Sequence, residues 1–389
     1  GPGTPGRMNS QPEIGKLDPC AELPALTGLR GFAALWVLLY HVWAMSGAPA
    51  LRMPGVDFLR GSAFLSLGWA GVDLFFCLSA FLLVLPYARW RYSGARRPDS
   101  GRYLMRRALR IYPAYLFQLA VLLAFAAFGI GRMPGLSELV AHLFMWFYLG
   151  WTWVAPMLGV WFTLPIEFAF YLMLPFLAPL LDRRRWTWLL IGALATSIAY
   201  RYFAFTAYNG EPVSTLVIVI ERLPGRIDQF VIGMLAGAAF VAAGLRGWRP
   251  RRPGLWLCAG LAGLMLTCAT LLFVGDAYWG GHPLLFIWHA LFSISLVPVL
   301  LACAWAAPSA MAMLANRPMR HLGDISFGVY LWHMPVVLAL LPLLPQTWSP
   351  VARFWALLGL VLPLSVLIAN ISYRFIERPF LDRKPKHLS

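Results

Sequence analysis

The sequence predicts an all-α, polytopic transmembrane helical bundle of about ten spans, with one short interfacial or re-entrant helix. Three observations carry this. Of 389 residues, 60% are hydrophobic and only 12% charged, whereas a soluble domain carries about a quarter charged residues. The apolar residues fall into runs of about 20, the length that crosses the hydrocarbon core as a helix. The arginines gather in alternate short loops between those runs, the bias that holds cytoplasmic loops inside.

The ten runs are 28–47, 69–87, 111–130, 160–181, 186–204, 226–244, 254–274, 284–306, 325–344 and 353–374. A further segment, Glu138–Gly150, is apolar and aromatic but too short to span, and is placed at the outer interface. With the N-terminus inside, the inner loops hold Arg89, Arg91, Arg96, Arg97, Arg102, Arg106, Arg107 and Arg110, then Arg183–Arg185. They continue with Arg246, Arg249, Arg251 and Arg252, then Arg317 and Arg320, and the tail adds Arg378, Arg383, Lys384 and Lys386. The outer loops keep only scattered arginines such as Arg52, Arg60, Arg132, Arg201 and Arg222. Both termini are therefore expected on the cytoplasmic side. Residues 1–24 read as an N-terminal cytoplasmic segment opening with a Gly-Pro-Gly resembling a protease-cleavage scar, 25–380 as the membrane domain, and 381–389 as a cytoplasmic tail.

The net charge of +16, from 32 basic and 16 acidic residues, would suggest nucleic acid in a soluble protein. Here topology accounts for it, so the expected partners are the lipid bilayer and anionic cofactors or phosphates, not nucleic acid. Cys20, Cys77, Cys258, Cys268 and Cys303 show no metal-binding spacing, and no histidine pair shows an HExxH pattern, so no metal is expected. The two halves share no repeat, which weighs against an inverted-repeat transporter.

Ionisable groups at membrane depth are costly and mostly functional. In the first span, Arg30 and His41 are eleven residues apart, about 20° past three full turns, so they share one face roughly 16 Å apart along the axis. Asp73 stands near the outer end of the second span, as either a carboxylate favoured by the helix dipole or a partner for a buried arginine or histidine. Arg106, Arg107 and Arg110 fall at i, i+1, i+4 on a helix entering the membrane. They either hold phosphates by bidentate hydrogen bonds or serve only to set topology. Glu167 in the fourth span is expected at the depth of His41, as its orienting carboxylate or in a structural ion pair, with Tyr171 on its face. His333 is expected near mid-membrane. His289 is either a packing residue or part of a site, and His142, His282 and His387 read as solvated histidines.

These segments together resemble acyltransferase family three, the bacterial integral membrane O-acyltransferases acting on glycans, lipids or small molecules. Arg30 and His41 match the family's arginine, ten residues, histidine pattern, and GVDLFFCLSAFLL its second-helix motif. Arg106, Arg107 and Arg110 match its RRxxR loop, followed by Tyr112 and Pro113, and Glu167 and Tyr171 match its E-x-x-x-Y. ISFGVYLWHMP, containing Tyr330 and His333, resembles its late helix motif, and Tyr373–Pro379 its terminal motif. The resemblance covers residues 25 to 380. Ala80 departs from a usual glycine, Trp161 stands one residue early, and Phe168 replaces a polar residue after Glu167.

The resemblance implies a cytosolic acyl-CoA donor, acetyl-CoA being the commonest, and a hydroxyl acceptor on a sugar, glycolipid or glycosylated small molecule toward the other side. It places the protein in the bacterial cytoplasmic (inner) membrane. On this reading His41 is the general base, Glu167 fixes its tautomer, and Arg30 binds the donor or assists the thioester carbonyl. Arg106, Arg107, Arg110 and Tyr112 would hold the donor, and Asp73, Tyr171, Tyr330 and His333 would support the substrate. A route through an acyl-histidine is the variant. The rival class is a proton-coupled transporter using His41, Glu167 and His333 as a relay.

Overall fold

A computed structural model of the chain describes residues 23–51, 61–147 and 154–382. Cys20, Arg52, Arg60, Arg383, Lys384, Lys386 and His387 lie outside the described residues, as do most of the terminal segments and residues 148–150 of the short aromatic stretch.

Ten described helices are long and apolar enough to cross a membrane. Their α-helical parts, continued in five of them by flanking 3-10 or π turns, are α1 (Pro24–Met45), α2 (Gly71–Ser93), α3 (Ser100–Ala127), α4 (Thr163–Leu177), α5 (Arg185–Ala207), α6 (Leu223–Leu245), α7 (Pro253–Val274), α8 (Leu284–Trp305), α9 (Ser326–Leu340) and α10 (Pro350–Ser372). No strand occurs among the described residues. The fold is thus a polytopic helical bundle and the chain a multi-pass membrane protein. The short helix Leu136–Leu143 lies between α3 and α4.

Several boundaries differ from the hydropathy reading, and two helices show the physical reason. The third helix starts at Ser100, eleven residues before its apolar run, because Asp99 caps it by accepting the Arg102 N–H at 2.7 Å. The arginines that follow are good helix formers. The fourth helix is regular only over Thr163–Leu177, between single 3-10 turns at Gly159–Phe162 and Ala178–Leu180.

Helices α2 and α6 form the centre, with 67% of each apolar window buried, whereas α7 at 17% faces lipid on most sides. In lipid the hydrophobic effect does not drive helices together, so close packing of small residues does. Gly233 and Gly237 are one turn apart on α6. A Cβ at Gly233 would stand 2.3 Å from the Cys77 carbonyl oxygen, and one at Gly237 2.4 Å from that of Phe81. Only glycine lets the two backbones meet there.

Candidate active site

A cavity of about 120 Å³ opens among α1, α2, α3, α4 and α9. Along α2 its lining runs from Val72 to Leu83, some 16 Å of helix axis. Arg30, Arg107 and Arg110 face into it, with Glu167 as the counter-charge and Ser79, Tyr171 and Tyr330 as neutral polar groups. Three guanidiniums against one carboxylate leave the lining net positive. The Glu167 carboxylate accepts from Ser79 Oγ at 3.0 Å and from the Tyr171 hydroxyl at 2.5 Å. Arg30 Nε donates to the Gly323 carbonyl at 3.1 Å, and Arg110 reaches the Asp324 carbonyl at 3.5 Å. Arg107 Nε is buried without a hydrogen-bond partner.

A second constellation lies farther from the arginine-rich face. His333 Nδ1 is 3.1 Å from the Val329 carbonyl oxygen. A carbonyl only accepts, so this nitrogen carries the proton and Nε2 carries the lone pair. That Nε2 faces His41 Nδ1 at 3.1 Å, and His41 Nδ1 is also 3.0 Å from the Val37 carbonyl oxygen. His41 therefore donates from Nδ1, shared between a carbonyl and an imidazole. Its lone pair is left on Nε2, which makes no hydrogen bond among the described residues. The two rings sit 5.0 Å apart, and His333 is fully buried.

The structure thus gives His41 a different partner from the expected one. No hydrogen bond or ion pair joins His41 to Glu167. The reason is depth. The Tyr330 hydroxyl donates to the Val160 carbonyl at 2.6 Å and lies 2.8 Å from Thr163 Oγ1, which fixes the first turn of α4 at the level of Tyr330. From there Glu167 lies four residues toward the arginine-rich face and His333 three residues away from it. The rise per residue then separates Glu167 from the histidine pair by about 10 Å along the axis. The sequence reading let this span start at the outer surface. Instead the 3-10 turn Gly159–Phe162 is buried, with Val160 5% and Trp161 0% exposed. Non-helical backbone survives at such depth only where protein satisfies it. Here Tyr330 serves Val160, while Trp161 Nε1 donates to Gln118 Oε1 at 2.8 Å and Gln118 Nε2 donates to the Leu331 carbonyl at 2.5 Å.

Three further candidates fall outside the cavity. Arg106 is exposed and points away, because the inward face of α3 is centred on Arg107, Arg110 and Ile111 and a neighbour at 100° cannot share it. Tyr112 turns to the opposite side, edge-on to the rings of Tyr115 and Phe168. Asp73 is wholly buried in an ionic cluster: it accepts from Arg226 at 2.7 Å and contacts His289 and Gln229, while Glu221 takes the other side of Arg226. Of the two roles open to Asp73, this is the arginine and histidine partner. His289 joins that cluster and is more than packing. His142 is 1% exposed, not solvated, with Nδ1 donating to the Glu138 carbonyl at 2.6 Å and Nε2 accepting the Met157 N–H at 3.0 Å.

Sequence reasoning passed over Ser79, Thr163, Gln118, Glu221 and Arg226. Arg226 and Glu221 carried a usable signal, since two charges flank the start of an apolar run. Ser79 and Gln118 carried none, because neutral polar residues are common in spans.

The chain is 25% identical over 390 residues to an O-acetyltransferase OatA of Staphylococcus aureus, covering 92% of this chain and 57% of the relative. It is 26% identical over 382 residues to the putative peptidoglycan O-acetyltransferase YrhL of Bacillus subtilis, covering 92% and 54%. It is 24% identical over 391 residues to the peptidoglycan O-acetyltransferase OatA of Listeria monocytogenes, covering 92% and 55%. The chain therefore spans a little over half the length of these relatives. No solved structure matches it. A cavity lined by arginines, a histidine pair beyond it and a family match to the acyltransferase domain over residues 23–370 converge, and the chain belongs to that acyltransferase family.

Proposed function

We propose that the chain is a membrane O-acyltransferase. It takes a short acyl group, acetyl first among them, from acyl-CoA at the arginine-rich face and transfers it to a sugar hydroxyl toward the opposite face. The observation that carries this is the free Nε2 of His41, held in one tautomer by His333 beyond a net-positive cavity. The relatives' names make a glycan hydroxyl the favoured acceptor, peptidoglycan foremost. The proposed location is a bacterial cytoplasmic membrane with the arginine-rich face and both termini cytosolic, a reading supported by the relatives' bacterial sources and the arginine bias.

In the direct scheme His41 Nε2 takes the proton of the acceptor hydroxyl as its oxygen attacks the thioester carbon. The new C–O bond forms, the C–S bond breaks, and the imidazolium returns the proton to the departing CoA thiolate. His333 and the Val37 carbonyl keep the Nδ1 proton in place throughout. Arg107 and Arg110 meet donor phosphates, Arg107 through a guanidinium with a buried unpaired nitrogen. Arg30, anchored on the Gly323 carbonyl, adds a third positive charge to the donor cavity. Glu167 holds Tyr171 and Ser79 and offsets part of the arginine charge.

The test is transfer of labelled acetyl from acetyl-CoA to a peptidoglycan glycan by protein in liposomes. His41→Ala should cost about 10²–10⁴-fold in rate; full transfer at normal expression would end the reading. Label trapped on His41 with donor alone would replace the direct scheme by an acyl-histidine.

A further inference from the structure

The short helix Arg317–Asp324 separates the arginine-lined cavity from a second, polar one of about 400 Å³, lined by Thr27, Arg317, Arg320, His321 and Asp324. We infer that this second cavity is a phosphate subsite for the nucleotide end of the acyl-CoA donor. The inference rests on acyl-CoA being the donor.

Four lining residues stand at i, i+3, i+4 and i+7 of one helix, so a single face is turned to the cavity. Its opposite face is fixed to α1 by backbone contact. A Cβ at Gly31 would stand 2.9 Å from the Gly323 nitrogen and the Met319 oxygen, and one at Gly323 1.9 Å from the Thr27 carbonyl oxygen. Asn316 caps the helix by accepting the Met319 N–H at 2.9 Å. The two arginines are thus mounted on a rigid rim, which a role in topology alone does not require.

The position of the rim is the second argument. Its last two carbonyls, Gly323 and Asp324, receive Arg30 and Arg110, which line the first cavity. Asp324 lines one cavity and Ser326, two residues on, lines the other. A ligand with an acyl thioester at one end and several phosphates at the other fits this pairing. The thioester enters the narrow cavity, and the phosphates stay at the wide polar one. Asp324 offsets one of the two guanidiniums, and His321 is held by Asn370 at 2.7 Å. A larger cavity lined by Arg91, Arg183 and Arg246 is the alternative by charge, but it shares no lining residue with the transmembrane cavity and has no link to it like that from Asp324 to Ser326.

Calorimetry on purified protein in neutral detergent, with CoA, dephospho-CoA and adenosine 3′,5′-bisphosphate as probes, tests this. Wild type should bind CoA about tenfold or more tightly than dephospho-CoA, the worth of charge-assisted hydrogen bonds to one phosphate. Arg317→Gln and, separately, Arg320→Gln should shrink that ratio to about one or two and weaken the bisphosphate equally. Arg320 has a buried Nε, so its variant is checked for monodispersity, and the exposed Arg317 carries the test if it fails. A ratio that survives both substitutions overturns the subsite and leaves the donor assignment standing. Absence of CoA binding to wild type overturns the donor assignment itself. The other source of phosphate is a lipid headgroup: if the variants lose thermal stabilisation by phosphatidylglycerol and keep the CoA ratio, the cavity belongs to lipid and the inference falls.

Discussion

Replacing His333 separates an orienting residue from a reacting one. In the structure His333 gives His41 one neutral hydrogen bond at 3.1 Å, and the Val37 carbonyl gives a second at 3.0 Å. A net neutral bond is worth about 0.5–1.5 kcal/mol, or roughly 2- to 13-fold in rate. Val37 remains after the change, so the tautomer is weakened but not lost. His333→Ala should therefore lower kcat by about that factor, far less than the 10²–10⁴-fold expected for His41→Ala. A charged triad carboxylate would cost about 10⁴-fold. His333 is 0% exposed, so alanine also leaves a void. His333→Gln controls for it, since glutamine fills the space and offers Oε1 to the His41 N–H, and should recover most of the rate. The assay is initial-rate transfer of labelled acetyl in liposomes, normalised to monodisperse protein, with KM for acetyl-CoA recorded. A loss as deep as that of His41→Ala would show that His333 itself moves a proton in the reaction. Full activity of the alanine variant would show that no tautomer control is needed. Either result refutes the reasoning.

Three other outcomes follow from the packing and charge. Asp73→Asn should destabilise the protein by about 1–3 kcal/mol, because it removes one of the two carboxylates around buried Arg226 while Glu221 keeps the other side; a melting temperature within error of wild type would contradict this. Gly233→Leu should cut the yield of folded protein sharply, since its Cβ falls 2.3 Å from the Cys77 oxygen, while Gly244→Ala, with nothing within 4 Å, should behave like wild type in size-exclusion and melting assays. His142, in the short helix outside the spans, is held below the ordinary histidine range by burial. Its folded-state value is depressed, so its contribution is full above about pH 6.5 and is lost as pH falls. Protection factors over residues 136–147, exchange corrected for the intrinsic pH dependence of amide hydrogens, should fall between pH 8 and pH 5 in wild type and stay flat in His142→Gln; equal protection at both pH values would remove the argument.

What could be read in advance is what depends on one helix alone. Arg30 and His41 needed only the pitch of α1 to be placed on one stripe, and ten spans needed only run length. The pair at Gly233 and Gly237 was legible as a spacing, but nothing in it named Cys77 and Phe81 as its partners. Asp73 was legible as a costly carboxylate. Its partners Arg226 and His289 lie 153 and 216 residues along the chain, and no local pattern joins them. Arg106 was placed wrongly because three arginines at i, i+1, i+4 cover 100° of surface, and only the packed bundle decides which part faces inward.

Glu167 shows why depth is the hardest quantity to read. Hydropathy locates a span but not the level at which its helix begins. Here the buried turn at Val160 and Trp161, held by Tyr330 and Gln118, starts α4 well below the outer surface. The energetic consequence is large. At an effective dielectric of 20, a carboxylate 4 Å from an imidazolium gains about 4 kcal/mol, whereas at ~10 Å it gains less than ~2. Because 10 Å is only the axial part of the separation, the true gain is smaller still. The arginines sharing the Glu167 cavity oppose even that. Glu167 is thus bonded to Tyr171 and Ser79 and shares its cavity with the arginines, while in the proposed mechanism His41 takes the proton and His333 only orients it. Tyr330 stands between the two sets, its ring 6.2 Å from Phe75 of the cavity and 5.9 Å from His333. On the proposed reading the acyl group travels from this cavity toward His41, and Tyr330 is the side chain that touches both sets.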